Sequence, residues 1–393
     1  MHMPTKIDML EATRLTREGR LEEAMAILRG AIAEGHARPA PAGAPAPGRE
    51  GIDLAPPRNG GAWSLPFEAA PGAPVGKSVA DYLPEALRGL LSPDAPSAPA
   101  VEKGTFAEHV YSNAAGSRSY KLYVPSLYRG QRLPLIVMLH GCTQSPDDFA
   151  AGTRMNEIAE EHGLFVAYPA QVQSANASKC WNWFNTGDQK RGQGEPSLIA
   201  GITRQVMQQY EVAPGRVYVA GLSAGGAVAA IMGTTYPDLY SAIGVHSGLA
   251  CGAASDMSSA FMAMRQGSPV PFVARTQGAR DGNGIVPTIV FHGDRDTTVH
   301  PVNGDHVVLQ SRGGAELEEV VTQGKSADGT SYSRTILTDP RGRVALEHWV
   351  LHGLGHAWSG GSAKGSFTDP RGPDASREMV RFFLRHAHAA SAA

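Results

Sequence analysis

One pentapeptide constrains this chain more than any other stretch: Gly221-Leu-Ser223-Ala-Gly225. Arg216-Val-Tyr-Val-Ala220, just before it, is a short β-branched, apolar run. Gly226-Ala-Val-Ala-Ala-Ile-Met232, just after it, is a small-residue helical run. G-x-S-x-G between a strand and a helix holds its serine on a strained turn, so the neighbouring side chains must be small or absent. The helix that follows opens with free N–H groups and the positive end of its dipole, which favour a developing oxyanion. The pattern points to Ser223 as a nucleophile. A Gly-Ser loop that merely turns the chain is the plainer alternative.

The chain has 393 residues, enough for one large α/β domain with extensions. A net charge of −2 and the absence of any Lys/Arg-rich run argue against a nucleic-acid partner. No apolar run is long enough to cross a bilayer. The first residues, Met1-His-Met-Pro-Thr-Lys-Ile-Asp-Met-Leu-Glu11, lack the uninterrupted apolar core of a secretory signal. A cytoplasmic location is therefore expected, with secretion left open should a native signal lie outside this sequence. Cys142, Cys180 and Cys251 are too few for a disulfide framework, and their spacing suits no zinc site. Three free thiols in a reducing compartment is one reading; a Cys180–Cys251 bridge in an oxidising one is the other.

Residues 1–36 read as a helical hairpin, with Ile7, Leu10, Leu15, Leu21, Ala24, Ile27, Leu28 and Ile32 at helical spacing. It resembles a single tetratricopeptide-like unit, which cannot bury its apolar face alone. It must pack on the main domain, on a second copy of the chain, or on another partner. Self-association and granule docking through residues 1–35 are both expected candidates. Residues 37–104 read as a Pro/Ala/Gly-rich linker, with a short helix around 82–91. A catalytic domain follows over 105–388, and 389–393 form a disordered tail. Within the domain, strands are expected at 119–124, 134–139, 164–168, 217–220, 242–246, 288–292 and 346–351. Helices are expected at 156–162, 197–211, 301–312 and 373–386. Alternating strands and helices imply an α/β domain, its mostly parallel sheet carrying helices on both faces.

A serine nucleophile needs an acid, a base and an oxyanion hole. The acid should lie beyond a buried strand in His292-Gly-Asp294-Arg-Asp296. Asp296 is the choice, with Asp294 the runner-up and more suited to a local turn bond. The base should be His356 in the glycine-rich loop Gly355-His-Ala-Trp-Ser-Gly-Gly361, whereas His352 sits near a strand end and packs. The oxyanion donors should be the N–H of Ala224, after the nucleophile, and that of Cys142 in His140-Gly-Cys-Thr-Gln144. Cys142 as a nucleophile is the competing idea. Trp181, Trp183 and Trp358 are expected to wall the substrate site, with packing within loops as the alternative. Asn182 is a candidate donor to a substrate carbonyl, and residues 267–284 a candidate rim.

Six stretches together resemble the esterase family that includes poly(3-hydroxybutyrate) depolymerases: His140–Gln144, Cys180-Trp-Asn-Trp-Phe184, Gly221–Gly226, His246-Ser-Gly-Leu249, His292–Asp296 and Gly355–Gly361. Asp369-Pro-Arg-Gly-Pro-Asp-Ala-Ser376 is similar to this group as well. The resemblance covers roughly residues 105–388. It implies an α/β-hydrolase fold without metal or organic cofactor, with Ser223, Asp296 and His356 as triad and Cys142 and Ala224 as oxyanion donors. It implies a serine esterase that acts on short-chain polyhydroxyalkanoate or its oligomers. The lack of a recognisable signal and of a C-terminal polymer-binding module leads us to expect amorphous intracellular polyester or soluble oligomers. Competing readings are a feruloyl or acetylxylan esterase, and a granule-associated scaffold with a dormant hydrolase domain.

Overall fold

The computed structural model describes residues 104–268 and 286–387. These lie in the second of two compact units, residues 102–393. The expected hairpin at 1–36, the linker at 37–104 apart from Gly104, the helix around 82–91 and the tail at 389–393 lie outside the described residues, as does all but the start of the rim at 267–284.

Strands β3 (Leu133–Leu139), β4 (Phe165–Pro169), β6 (Ala242–His246) and β7 (Thr288–Gly293) are buried along their whole length. Their unbroken apolar runs reflect cover on both faces. With β5 (Val212–Leu222) and β10 (Val344–Leu351) they form a parallel block in the order β4-β3-β5-β6-β7-β10. Strands β1 (Thr105–Asn113) and β2 (Gly116–Val124) extend it antiparallel at one side. Strands β9 (Ser331–Thr338) and β8 (Glu318–Lys325) do so at the other, giving a ten-stranded sheet among the described residues.

Successive side chains of a strand point to opposite faces, and the core divides accordingly. Leu135, Val137, Leu139, Val217 and Val219 pack on α3 (Gly194–Gln209) and α4 (Ala224–Thr235). The same core takes in Ala260 and Ala263 of α5 (Met257–Gln266) and Val307 of α6 (Val302–Arg312). Ile136, Met138, Tyr218 and Ala220 pack the other way, on α1 (Pro146–Thr153), α2 (Met155–His162) and α7 (Ala375–Leu384). Full burial of each large aliphatic side chain contributes roughly 1.5–3 kcal/mol, so both layers hold the sheet firmly.

Most expected elements of the parallel block appear within one or two residues of their expected ends. Strand β8 was not expected, and its residues Glu-Glu-Val-Val-Thr-Gln-Gly-Lys explain why. Nearly all of them are exposed on both faces, so no alternation of apolar and polar residues marks the strand. Helix α1 is likewise outside the expected elements, although its start is written in Ser145-Pro-Asp-Asp148. The Ser145 hydroxyl accepts the Asp148 N–H at 3.2 Å, and Pro146 occupies the first turn.

Candidate active site

Ser223 stands between β5 and α4 with φ 56° and ψ −119°. That backbone needs room on both sides. A Cβ at Gly221 would lie 2.4 Å from the backbone of Gly225, and one at Gly225 would lie 2.1 Å from the Leu139 carbonyl oxygen. The two glycines therefore let the start of α4 press against the ends of β5 and β3, which lifts the serine to the carboxyl edge of the sheet. The Ser223 N–H donates to the His246 carbonyl at 2.9 Å, tying the turn to β6.

Asp296 lies three residues beyond β7, at the same edge, and is buried. Its Oδ1 accepts the N–H groups of Thr298 (2.9 Å) and Val299 (2.8 Å). Its Oδ2 receives Nδ1 of His356 at 2.7 Å and faces Nε2 of His292 at 3.4 Å. Burial by itself would raise the carboxyl pKa. The hydrogen bonds from His292, His356 and Val299 outweigh it and hold Asp296 well below the usual carboxylate range. His356 follows β10, which pairs in parallel with β7, so both loops leave the sheet side by side. A carboxylate on Nδ1 makes that nitrogen the N–H and leaves Nε2 as the basic one.

The loop after β3 passes directly against the serine, for a Cβ on Gly141 would sit 3.6 Å from the Ser223 Cβ. Gln144 shapes this loop. Its Oε1 accepts the Gly141 N–H at 2.8 Å, while its Nε2 donates to Asp148 (2.9 Å) and to the Ser366 carbonyl (3.0 Å). The Thr143 N–H is taken by the Ser178 carbonyl at 2.7 Å. Between them, the Cys142 N–H has no acceptor among the described residues. The Ala224 N–H belongs to the first turn of α4, where backbone donors have no partner within the helix.

The cysteine expectations need correction. Cys142 and Cys180 form a disulfide across 38 positions, and Cys251 is left as a half-buried free thiol, pushed up to about 11 by desolvation. Neither three free thiols nor a Cys180–Cys251 bridge is observed. A sulfur held in a disulfide is no nucleophile, so the competing role for Cys142 falls as well.

The aromatic expectations change too. Trp181, Trp183 and Trp358 are all buried. The Trp181 indole N–H donates to the His140 carbonyl at 3.1 Å, and that of Trp358 to the Ser376 hydroxyl at 3.0 Å. These rings pack the loops around the site and present no open wall. Asn182 is engaged within its own loop: its amide donates to the Ala175 carbonyl (3.3 Å) and to Glu195 (3.0 Å), and its oxygen accepts from Asn176 (3.0 Å). The buried Glu195 carboxylate also takes the Asn182 N–H and the Gln171 amide, which pins the Trp181 loop from beneath.

One further residue, unmarked by any sequence signal for a role, joins the site. His246 is fully buried, its ring stacked on Phe291 (5.7 Å) and on Trp358 (5.0 Å). Its carbonyl holds the Ser223 N–H, and its Nε2 accepts the Ser359 N–H at 3.0 Å. His246 thus joins the serine turn to the loop that carries His356. Burial, followed by the neighbouring His292 and His356, pushes its pKa down to about 3, so the ring is neutral. Only a role for the ring itself was hidden, since a lone buried histidine in sequence carries no such signal.

The fold and this edge of the sheet define an α/β-hydrolase. Residues 118–318 match the model of the family described as Esterase PHB depolymerase, and the chain belongs to that family. It is 32% identical over 228 residues to poly(3-hydroxyalkanoate) depolymerase C of Paucimonas lemoignei, a match covering 57% of this chain and 54% of that protein. It is 28% identical over 202 residues to acetylxylan esterase A of Talaromyces purpureogenus, covering 49% and 52%. The chain thus spans about half the length of these curated relatives. Among solved structures, acetyl xylan esterase from Aspergillus awamori superposes with a TM-score of 0.57 at 20% identity, over 71% of this chain and 99% of that one. That likeness is one of fold.

Proposed function

We propose that this chain is a serine carboxylic-ester hydrolase that cleaves short-chain polyhydroxyalkanoate or its oligomers, with Ser223 as nucleophile, His356 as base and Asp296 as the orienting acid. The observation that carries the reading is the 2.7 Å contact of His356 Nδ1 with the buried Asp296, made at the sheet edge to which its turn brings the half-buried Ser223. His356 Nε2 takes the hydroxyl proton as Ser223 Oγ adds to the ester carbonyl carbon. The N–H groups of Cys142 and Ala224 receive the oxyanion, each lowering the barrier by roughly 3–4 kcal/mol. The C–O bond to the alcohol then breaks, and His356 returns the proton to the leaving oxygen. Water repeats the sequence on the acyl-enzyme and frees the acid. Asp296 stays ionised throughout.

A carbohydrate esterase is the second reading, supported by the acetylxylan esterase relatives and by the burial of the tryptophans expected to face a polyester. A scaffold with a dormant domain is disfavoured by the ordered serine, acid and base. The sequence pattern of residues 1–35 supports self-association or docking on a polyester granule. Removal of those residues should then lower the mass seen by light scattering or release the chain from granules, with turnover spared. No helix among the described residues is long and apolar enough to cross a membrane. The Cys142–Cys180 bridge supports an oxidising compartment over the cytoplasm.

The deciding experiment compares amorphous poly(3-hydroxybutyrate), hydroxybutyrate oligomers and acetylated or feruloylated xylan fragments, with Ser223→Ala as the blank. Hydroxybutyrate released by the parent alone supports the polyester reading. Acetate or ferulate without hydroxybutyrate moves the substrate to carbohydrate esters. Equal turnover by parent and Ser223→Ala removes the nucleophile assignment.

A further inference from the structure

Asp294 and His352, neither of them in the proposed triad, meet a third residue at the surface. Nδ1 of His352 lies 3.0 Å from Oδ2 of Asp294, and Nε2 of His352 lies 2.8 Å from the hydroxyl oxygen of Ser333. The other Asp294 oxygen accepts the Gly353 N–H at 2.7 Å. All three backbones are anchored. The Asp294 N–H donates to the Leu351 carbonyl at 3.1 Å and the His352 N–H to the Ser331 carbonyl at 3.0 Å, while Ser333 sits within β9 between Val350 and Gln323. The carboxylate accepts only, so it fixes Nδ1 of His352 as the N–H and turns the lone pair of Nε2 to the serine hydroxyl. This is the hydrogen-bonded order of nucleophile, base and orienting acid. It lies open to reagents, the side chains of His352 and Asp294 being 40% and 37% exposed.

We propose that Ser333, with His352 as base and Asp294 as its orienting acid, is a second nucleophile of this protein: a covalent modification site for activated acyl and phosphoryl electrophiles, separate from Ser223. The surroundings set its chemistry. Ser223 stands at a helix start with free donors beside it, whereas Ser333 lies in a strand paired on both sides, where neighbouring N–H groups are spent in ladder bonds. Loss of one oxyanion donor alone slows such reactions by about 100- to 1000-fold. Ser333 therefore reacts with electrophiles that carry a good leaving group, such as aryl esters and phosphoryl fluorides, and releases the adduct slowly. With a phosphoryl fluoride, the Oγ–P bond forms as the P–F bond breaks. The hydroxyl proton passes to His352 Nε2 and fluoride leaves.

The test uses the full chain carrying Ser223→Ala, so that the main site is silent, treated with diisopropyl fluorophosphate and mapped by peptide mass spectrometry. Ser333 should gain one diisopropylphosphoryl group, faster than the exposed Ser112, whose hydroxyl meets only the Ser117 side chain among the described residues. Adding His352→Gln should slow labelling of Ser333 at least tenfold, and adding Asp294→Asn several-fold. Circular dichroism melts check that each variant is folded, and the isosteric Asp294→Asn decides the matter if His352→Gln is not. An unlabelled Ser333, a rate no greater than that of Ser112, or a rate unmoved in the folded variants overturns the proposal. A wrong assignment of Ser223 shows itself separately, as ester turnover that survives Ser223→Ala.

Discussion

Nε2 of His246 accepts the N–H of Ser359 at 3.0 Å, while the carbonyl of the same histidine holds the N–H of Ser223 at 2.9 Å. One buried residue, through its carbonyl on one side and its ring on the other, therefore ties the serine turn to the histidine loop. Replacement by His246→Ala leaves the Ser359 N–H unsatisfied and opens a cavity between Phe291 and Trp358. We expect kcat to fall about 100-fold, in line with the loss from a small misplacement of reacting groups, with KM changed far less. The melting point should drop as well, by the equivalent of about 2–4 kcal/mol. Steady-state kinetics and thermal melts check this; an unchanged kcat in the folded variant counts against the bridging role.

Reduction of the Cys142–Cys180 bridge should loosen the loop that carries a proposed oxyanion donor. A bridge of this span stabilises by roughly 3–4 kcal/mol, so the reduced chain should melt at a lower temperature and turn over more slowly. Thiol titration in denaturant should find one thiol without reductant and three after it, as the sequence has three cysteines. Three thiols without reductant would exclude the bridge.

Gln144 holds the same loop from the other side. Gln144→Ala removes the acceptor of the Gly141 N–H and the link to Asp148 and Ser366. The expected outcome is a fall in kcat of about tenfold to 100-fold, since an ill-aimed oxyanion donor is worth part of a missing one. Binding of a non-reactive substrate analogue, followed by calorimetry, should change little.

Stability should fall with acid in two windows. Burial pushes His246 down to about 3 and His140 and His348 down to about 4. Unfolded, each titrates near about 6.5. Below that pH the unfolded chain binds protons that the folded chain excludes, so stability declines from about pH 6.5 downwards, by up to about 1.4 kcal/mol per pH unit for each histidine. Asp296, held low when folded, adds to the loss below about pH 4. Urea unfolding at pH 7, 5.5 and 4.5 measures the first window. A flat profile between pH 7 and 5 would show these histidines to be protonated in the fold.

What the sequence by itself determined is local. A buried parallel strand needs an unbroken apolar run, and a strained turn needs its glycines, so the elbow at Ser223, the loops holding Asp296 and His356 and the parallel block could all be read from short stretches. Tertiary structure alone decided which groups meet across long spans. The contact between His246 and Ser359 joins residues 113 positions apart, and Asp294 reaches His352 across 58. The partner of Cys142, the inward packing of Trp181 and Trp358, and the meeting of Ser333 with His352 depend on sheet order and register. A single chain of letters does not state which strand lies beside which, and a side chain's burial is set by what the fold lays over it.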